Sequence, residues 1–274
     1  MNLTSIFNNL IRCSIIVFII IAFTACDEAD LTSEYYTPSA NPSTSFYYDV
    51  EGGFSLSESV DVYIVDLFDA GSSSITTLQS SGIKVMCEMS IGAVSSGDSD
   101  YSSFTANSDI LGDDTWLDIR SSTVSTLINA RLQVALDNGC DGVLFTNAEN
   151  FNEDTTFSIT ENNQISYNRS LAEDAHTYGL TVGIQIDDKF AQTILDDLVS
   201  SFDFLIVKDT YTNSYTEYTS MFLNKNKPVI DIETTSTYQY DEVSKTLMCS
   251  TMIANNIYTI YVDGSTYSSC NEDF

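Results

Sequence analysis

The stretch VSTLINARLQVALDNGCDGVLFTN, Val124 to Asn147, holds one complete helix-to-strand unit. Apolar residues recur at helical spacing over its first half, Gly139 stands where the helix should stop, and the apolar run Gly142–Phe145 follows. A glycine just after the last turn commonly ends a helix, and a short apolar run is typical of a buried strand. The unit therefore predicts a parallel sheet with helices packed on it.

The same alternation runs through most of the chain. Further apolar runs predict strands at Val62–Leu67, Lys84–Met89, Leu180–Ile186, Phe204–Val207, Val229–Ile232 and Ile257–Val262, and Phe46–Val50 could add another. Helical patterns separate them, at Ser166–Tyr178, Phe190–Ser201, Tyr215–Leu223 and Asp241–Asn255. Seven or eight such units in one domain favour a closed α/β fold, the (β/α)8-type TIM barrel, over an open doubly wound sheet.

One connection is much longer than the others. The segment Gly92 to Asp114, rich in Ser, Asp and Gly, follows the second barrel strand, Lys84–Met89. Loops that follow the carboxyl ends of the strands build the active sites of TIM barrels. We therefore expect this insertion to border the functional site.

The N-terminal residues predict export. Residues 1–25 have a polar start with Arg12, an apolar run too short to span a membrane, and small residues before Cys26. This ending is similar to a lipobox, so we expect a lipoprotein signal peptide, lipidation at Cys26 and anchoring in the bacterial cell envelope. Cleavage to an unanchored exported product is the alternative. The composition predicts an acidic, Ser/Thr/Pro-rich tether over residues 26–45 and a barrel over residues 46–274.

The charge balance narrows the partners. The chain has 274 residues, 39 Asp and Glu against 10 Lys and Arg, and a formal net charge of -29. This argues against nucleic acid or anionic lipid as a partner and suits a cationic ligand, a saline environment or a well-solvated exported surface. No glycine-rich phosphate loop or zinc-type cysteine spacing is present, and we expect no cofactor and no metal.

Four cysteines remain after the leader and Cys26, an even number that suits disulfides in an oxidising compartment. Cys249 in a late helix and Cys270 in the tail could form a staple, and Cys87 and Cys140 fall on strands expected to be neighbours. The sequence leaves the pairing open.

A series of short phrases lies in a fixed order between about Val60 and Thr234. They are VDVYIVDL (60–67), KVMCEMSIG (84–92), WLDIR (116–120), GCDGV (139–143), FDF (202–204) and KPV (227–229), followed by Glu233. In order and spacing they resemble glycoside hydrolase family 114, the endo-α-1,4-polygalactosaminidase-type barrels. The resemblance implies a TIM barrel that acts on a polymer of galactosamine, which is cationic when it is not acetylated.

The departures from the family pattern fall on the chemistry. Leu144 and Thr146 stand where the family carries carboxylates, and Lys208 stands where it carries a glutamate. Glycoside hydrolysis ordinarily needs one carboxylic acid that protonates the leaving oxygen and a second carboxylate that acts as nucleophile or base. Threonine and lysine supply neither group. The resemblance therefore implies that both catalytic acids are lost and that the chain is a possible pseudoenzyme.

The resemblance implies that Thr146 and Lys208 face the pore, and strand alternation then places Gly142, Leu144 and Ile206 on the same face. The family phrases add Asp66, Glu88, Gln185, Asp231 and Glu233 to the pore-facing set. We take Glu233, Glu88 and Glu149 as the candidate catalytic acids. The candidate substrate-binding residues are Asp66, Trp116, Thr146, Asn147, Tyr167, Gln185, Lys208 and Asp231.

Several interpretations of this site compete. In one, a sugar-shaped cleft binds an extracellular amino-sugar polysaccharide but does not cleave it. In another, Glu88 with Glu233 or Glu149 forms a relocated acid pair and a hydrolase survives. A third makes Lys208 an amine nucleophile, but neighbouring acids favour the charged amine, which is not nucleophilic. The last is a non-catalytic structural surface lipoprotein.

Other conspicuous side chains have simpler interpretations. The only histidine, His176, would have to serve any Ser-His-Asp triad, and its place in a helical pattern favours packing instead. Trp116 suits either sugar stacking or the core. We expect Arg120 and Arg131 to pair with acids such as Asp118 and Asp141.

Overall fold

The computed structural model describes residues 35–40, 44–48, 59–69, 71–112, 115–187, 191–214, 216–234, 241–263 and 266–273. The leader, Cys26 and most of the tether lie outside these residues, so export, lipidation and anchoring stay predictions. A compact unit begins at Tyr35, before the boundary at residue 46 that composition indicated. Within the described ranges, no helix combines the length and apolar character that crossing a membrane requires.

The described part of the chain forms one sheet of nine strands in sequential order, with β1 to β8 parallel and β9 antiparallel to β8. The strands are β1 Phe46–Tyr48, β2 Val62–Asp66, β3 Lys84–Ser90, β4 Gly142–Thr146, β5 Thr181–Ile186, β6 Phe204–Lys208, β7 Val229–Glu233, β8 Tyr258–Asp263 and β9 Thr266–Ser269. The rings of Phe46 and Tyr258 lie 5.4 Å apart. The sheet therefore curls until its first and last parallel strands approach each other, as the predicted TIM-type barrel requires.

Helices connect the strands on the outside of this sheet. They are α1 Ser72–Ser80, α2 Tyr101–Thr105, α3 Ser122–Asn138, α4 Glu161–Thr177, α5 Leu195–Leu198, α6 Thr210–Asn213, α7 Thr216–Leu223, α8 Glu242–Ala254 and α9 Cys270–Asp273. Gly139 ends α3 with a φ of 84°, as predicted. Helix α4 begins earlier than its apolar pattern indicated, because Thr160 and Asn163 form a capping box.

Alternate strand residues pack into two separate cores. One lies between the sheet and the helices and includes Val65, Val143 and Val207. The other fills the inside of the curled sheet, with the buried residues Phe46, Tyr48, Val62, Ile64, Met86, Leu144, Phe204, Ile206, Ile230, Ile232, Tyr258 and Ile260. A Cβ on Gly183 would lie 2.1 Å from the Phe204 ring, so glycine is needed there for the ring to fill the interior. Because strand side chains alternate between the two faces of the sheet, the members of this interior core identify the strand positions that face the pore.

Two disulfides join the four mature cysteines, in the combination that the sequence suggested without settling. Cys87 on β3 pairs with Cys140 before β4, and Cys249 on α8 pairs with Cys270 on α9. The first bond joins neighbouring strands at a sequence separation of 53 residues, and the second ties the C-terminal helix to α8.

The long insertion after β3 is held to the barrel by a buried arginine. Arg131 on α3 is 1% exposed and donates to Asp98, Asp100 and the carbonyl of Ser90, each at 2.8 Å. Its predicted acidic partner, Asp141, pairs instead with the Lys84 ammonium at 2.7 Å. The sequence indicated that Arg131 holds acids but not which ones, because the partners lie in the insertion.

Candidate functional site

Thr146 and Lys208, where the resemblance implies lost acids, have the strand parity of pore-facing residues. Thr146 and Lys208 come two residues after Leu144 and Ile206, both members of the interior core, and strand side chains alternate between faces. Thr146 is 6% exposed and ends β4, and Lys208 ends β6 as the register partner of Ile232. Both therefore stand at the carboxyl edge of the strands, where TIM barrels place their active sites.

Five polar side chains from four strands form one hydrogen-bonded chain across this edge, which we call the mouth network: Tyr48, Glu88, Gln185, Asp187 and Lys208. The Lys208 Nζ donates to Asp187 Oδ2 at 2.9 Å, and Gln185 Nε2 donates to the same oxygen at 3.3 Å. The Tyr48 Oη lies 3.1 Å from Gln185 Oε1 and 2.7 Å from Glu88 Oε2. The mouth therefore has an ordered polar rim above the apolar interior.

Two members of the mouth network were not among the predicted site residues. The strand pattern stopped at Ile186, so the alternation was not carried two residues past Gln185 to Asp187. Tyr48 lies on β1, which the sequence suggested only as an additional strand. Both have the parity of pore residues: Tyr48 follows Phe46 by two positions inside the suggested first strand, and Asp187 follows Gln185 by two positions just beyond the predicted fifth strand.

Glu88 on β3 and Asp66 on β2 are register partners, and burial shifts the pKa of both acids. Burial raises the pKa of Glu88, and the nearby Asp66 adds to that rise, against the hydrogen bond from Tyr48 and the Lys208 charge. The Tyr48 hydroxyl has one proton and can donate to only one of its two neighbours. Both contacts are hydrogen bonds when Glu88 is protonated, because Glu88 then donates to the Tyr48 oxygen while Tyr48 donates to Gln185 Oε1. Burial likewise raises the pKa of Asp66, whose Oδ1 accepts the backbone N–H groups of Phe68 and Asp69.

Glu149 is the most strongly perturbed acid at this edge. It follows β4 and is 6% exposed, and its Oε2 has no hydrogen-bond partner within the part of the chain that the structure describes. Burial, followed by the negative charge of Asp187, raises the pKa of Glu149 to about 8. Glu149 therefore carries a proton at neutral pH, beside an ion pair in which Asp187 is an anion.

Asp231 and Glu233 do not face the pore, and that prediction is wrong. Ile230 and Ile232 occupy the interior, so the two acids between and after them point to the opposite face of β7. Both acids are fully buried. Asp231 accepts from the backbone of Thr210 at 3.0 Å, and Glu233 accepts from the backbone of Tyr211 at 2.6 Å.

The physical reason is the polar start of helix α6, which packs on the outside of β7. Its first N–H groups have no partner within the helix, and they are satisfied by these carboxylates. Acids on that face therefore cap a helix, whereas the family phrase indicated a place in the cleft. The pKa of each acid is raised, in both cases chiefly by burial.

Tyr167 is also misplaced by the sequence interpretation. It lies on α4, is 6% exposed and donates its hydroxyl to the carbonyl of Ile91 at 2.7 Å. Burial raises its pKa. Tyr167 therefore packs between helix and sheet and does not line a cleft.

Two further candidates lie near the carboxyl edge and keep their predicted roles as predictions. Asn147 has a left-handed backbone (φ 51°) and donates its side-chain amide to Ser90 Oγ at 2.8 Å. Trp116 is half-buried and pairs with Ala93 in an antiparallel bridge at the base of the insertion.

His176 lies at the other end of the barrel. Its Nε2 is 2.9 Å from Asp203 Oδ2, and its ring stacks on Tyr35 with the centroids 4.8 Å apart. Asp203 also accepts from the backbone of Val182, near the start of β5. His176 therefore has the expected packing role, far from the mouth.

The chemistry available at the mouth comes from carboxyl, amide, hydroxyl and ammonium groups. In the described ranges, no group of three or more His, Cys, Asp or Glu side chains is arranged to hold a metal ion. Glu88, Glu149 and Asp187 lie near the Lys208 ammonium, and Asp66 lies beside Glu88. Such a rim can bind hydroxyl groups and cations, and it combines a protonated carboxylic acid with a carboxylate.

Comparisons with known proteins agree with this fold. The chain is similar to Ega3 of Aspergillus fumigatus, solved in complex with galactosamine, at 24% identity and a TM-score of 0.76, over 86% of this chain and 97% of the other. The glycoside hydrolase domain of PelA from Pseudomonas aeruginosa matches at 11% identity and a TM-score of 0.59, over 81% and 94% of the two chains.

A more distant structure, Amy13B of Eubacterium rectale, matches at 11% identity and a TM-score of 0.52, over 84% of this chain and 67% of the other. No curated protein matches the chain. The sequence model described as glycoside-hydrolase family GH114 matches residues 28–272. With strands, register and this match in agreement, the chain belongs to glycoside hydrolase family 114.

Proposed function

We propose that the barrel mouth binds an extracellular amino-sugar polysaccharide in its cationic form and that the family's own acid positions no longer cleave it. One observation carries the proposal. Where the resemblance implies two acids the chain has Thr146 and Lys208, while Glu88 and Asp187 lie near that lysine and Asp66 lies beside Glu88. The site has lost its original proton donor and anion but has kept a negatively charged rim.

The state of these acids supports a cationic ligand. Burial holds the pKa of Glu88 and of Asp66 above the ordinary range. Nearby carboxylates add to both shifts, Asp66 at Glu88 and Asp69 at Asp66. A bound ammonium group favours the ionised carboxylate, so binding and deprotonation are linked. We therefore expect the affinity to increase as the pH rises above the ordinary titration range of a carboxylic acid.

The relatives support the sugar class. Ega3 is a structure with galactosamine, and the PelA domain is named as a glycoside hydrolase. The net charge of -29 would also attract a polycation over long range. Raising the salt concentration should weaken binding, because exposed charges are screened beyond about 8 Å at physiological ionic strength.

Calorimetric titration of the purified chain tests the proposal. Partly deacetylated polygalactosamine should bind at least about tenfold more tightly than the fully acetylated polymer, a difference of about 1.4 kcal/mol. Glu88→Gln should weaken binding of the deacetylated polymer, whereas Glu173→Gln, the same change on the exposed face of α4, should leave it unaltered. Equal affinity for both polymers, or equal effects of both variants, would contradict the proposal.

We also propose that the chain is an envelope lipoprotein anchored through Cys26. The short apolar leader and the small residues before that cysteine support this assignment. Cys26→Ser should move the protein from the membrane fraction to the unanchored fraction and abolish the incorporation of labelled fatty acid. Unchanged fractionation would argue against the anchor without affecting the proposal for the mouth.

A further inference from the structure

Two carboxyl groups at the mouth lie after neighbouring strands and differ in environment. Glu149 follows β4 and Asp187 follows β5, and these strands are paired in register, with Phe145 beside Ile184. Glu149 is 6% exposed with Oε2 unpartnered in the described chain, whereas Asp187 is exposed and accepts from Lys208 and Gln185. One carboxyl is therefore enclosed, and the other is held open to solvent by two donors.

The enclosed group is a neutral carboxylic acid, whereas the open group is a carboxylate. Burial and the charge of Asp187 raise the pKa of Glu149 to about 8, so it holds a proton at neutral pH. Asp187 is the anion of an ion pair, 2.9 Å from Lys208 Nζ. A pair of carboxyl groups, one protonated and one ionised, is what glycoside hydrolysis requires.

We infer that Glu149 and Asp187 form a displaced acid–base pair that hydrolyses the glycosidic bond of the polymer bound at the mouth. The inference rests on the proposed binding function. It goes beyond that function because it assigns cleavage to two residues outside the family's acid positions. Neither Thr146 nor any acid on the outer face of β7 takes part.

The step uses only the polymer and water. Glu149 gives its proton to the glycosidic oxygen, and the bond between that oxygen and the anomeric carbon breaks, with its electron pair going to the oxygen. A water molecule forms the new bond to the anomeric carbon, and Asp187 takes the proton that this water loses. Proton exchange with solvent then returns Glu149 to its acid form and Asp187 to its anion.

Lys208 is a positioning residue in this arrangement. Its ammonium and the amide of Gln185 both contact Asp187 Oδ2, which leaves Oδ1 to accept the proton of water. Lys208→Met should therefore lower kcat more than it changes KM, because the base loses its orientation. A purely structural lysine would instead reduce the amount of folded protein and leave kcat per folded molecule unchanged.

Release of reducing ends from partly deacetylated polygalactosamine, measured on the purified chain, tests the pair. The wild type should cleave, and Glu149→Gln should lose about 100-fold or more of kcat, the usual contribution of a positioned acid. The glutamine nearly matches a protonated glutamate in shape, so this variant should fold. Asp187→Asn should lose turnover as well, whereas Glu173→Gln and Asp196→Asn, matched changes at exposed helix positions, should not.

The pH dependence gives a second readout. A general acid must be protonated, so kcat/KM should fall as the pH rises through about 8, the pKa of Glu149. Glu149→Asp, which keeps an acid one methylene shorter, should retain part of the turnover and a descending limb at high pH.

The outcomes separate this inference from the proposed function. If the wild type binds the polymer but does not cleave it, or if Glu149→Gln cleaves normally, the acid–base pair is overturned and the binding function stands. If the polymer is not bound at all, the proposed binding function is wrong, and the acid–base pair that rests on it is wrong as well.

Discussion

At the scale of single residues, burial decides which acids of this barrel carry charge. Glu149 and Asp187 lie at the same edge of the sheet, but Glu149 is enclosed and Asp187 faces solvent with a lysine beside it. Removing a carboxylate from water favours its protonated form, as at Glu149, whereas Asp187 keeps its contact with solvent and forms an ion pair with Lys208. The two groups therefore differ in protonation although their residue types are nearly the same.

Glu149 should make the stability of the fold depend on pH. Its pKa is about 8 in the folded state against an ordinary value of 4.5, so its contribution is complete below about pH 4.5 and is lost as the pH rises towards 8. The free energy of unfolding should fall by up to about 1.4 kcal/mol per pH unit in this window. Urea unfolding of Glu149→Gln should show a shallower decline between pH 5 and 8. A parallel decline in both proteins would refute the assignment.

Two arginines that the sequence treated alike should differ strongly. Arg131 is 1% exposed and holds two acids and a carbonyl, whereas the side chain of Arg120, paired with Asp118, is 40% exposed. Arg131→Met should cost about 3 kcal/mol because it removes the buried cation that holds Asp98 and Asp100, and Arg120→Met should cost much less because its ion pair is exposed to solvent. Equal shifts in the urea midpoint would show that burial does not decide the strength of these pairs.

At the scale of the elements, the alternation of β7 places its acids against a helix. Ile230 and Ile232 take the inner face, so Asp231 and Glu233 receive the N–H groups at the start of α6. A four-residue helix has few internal hydrogen bonds, and these carboxylates complete its first turn. The pair of acids therefore stabilises a connection on the outside of the barrel.

Glu233→Ala should destabilise the protein and leave sugar binding intact. The change removes the acceptor for the backbone of Tyr211 at 2.6 Å and for the hydroxyl of Thr212 at 2.8 Å, which should cost about 2 kcal/mol. Calorimetric titration at a temperature where the variant is folded should give the wild-type affinity. A large loss of affinity in the fully folded variant would instead indicate that Glu233 takes part in binding at the mouth.

At the scale of the whole molecule, the two disulfides restrain segments of different length. In the chain-entropy account, a cross-link over the 53 residues between Cys87 and Cys140 contributes about 4 kcal/mol, and one over the 21 residues between Cys249 and Cys270 about 3 kcal/mol. Replacing both cysteines of a pair by serine should therefore lower the unfolding free energy more for the first pair. If urea unfolding showed the larger loss for Cys249 and Cys270, the packing of the C-terminal helix in the native state would matter more than the length of the closed loop.

The sequence by itself determined the order of strands and helices, because apolar periodicity and helix-ending glycines are local signals. The helix end at Gly139 and the strand at Gly142–Phe145 were both readable from one stretch of chain. The same signals made the two cysteine pairs conceivable but left the pairing open, and the folded structure decided it.

Only the tertiary structure decided which acids meet. Whether a strand face is inside or outside depends on partners distant in sequence, so Asp231, Glu233 and Tyr167 were assigned to the cleft although they pack against helices. Burial is equally non-local: enclosure by the fold and the charge of Asp187 raise the pKa of Glu149 more than its sequence neighbour Glu153 does. Side-chain periodicity is a property of the chain, but solvation and electrostatic neighbours are properties of the folded barrel.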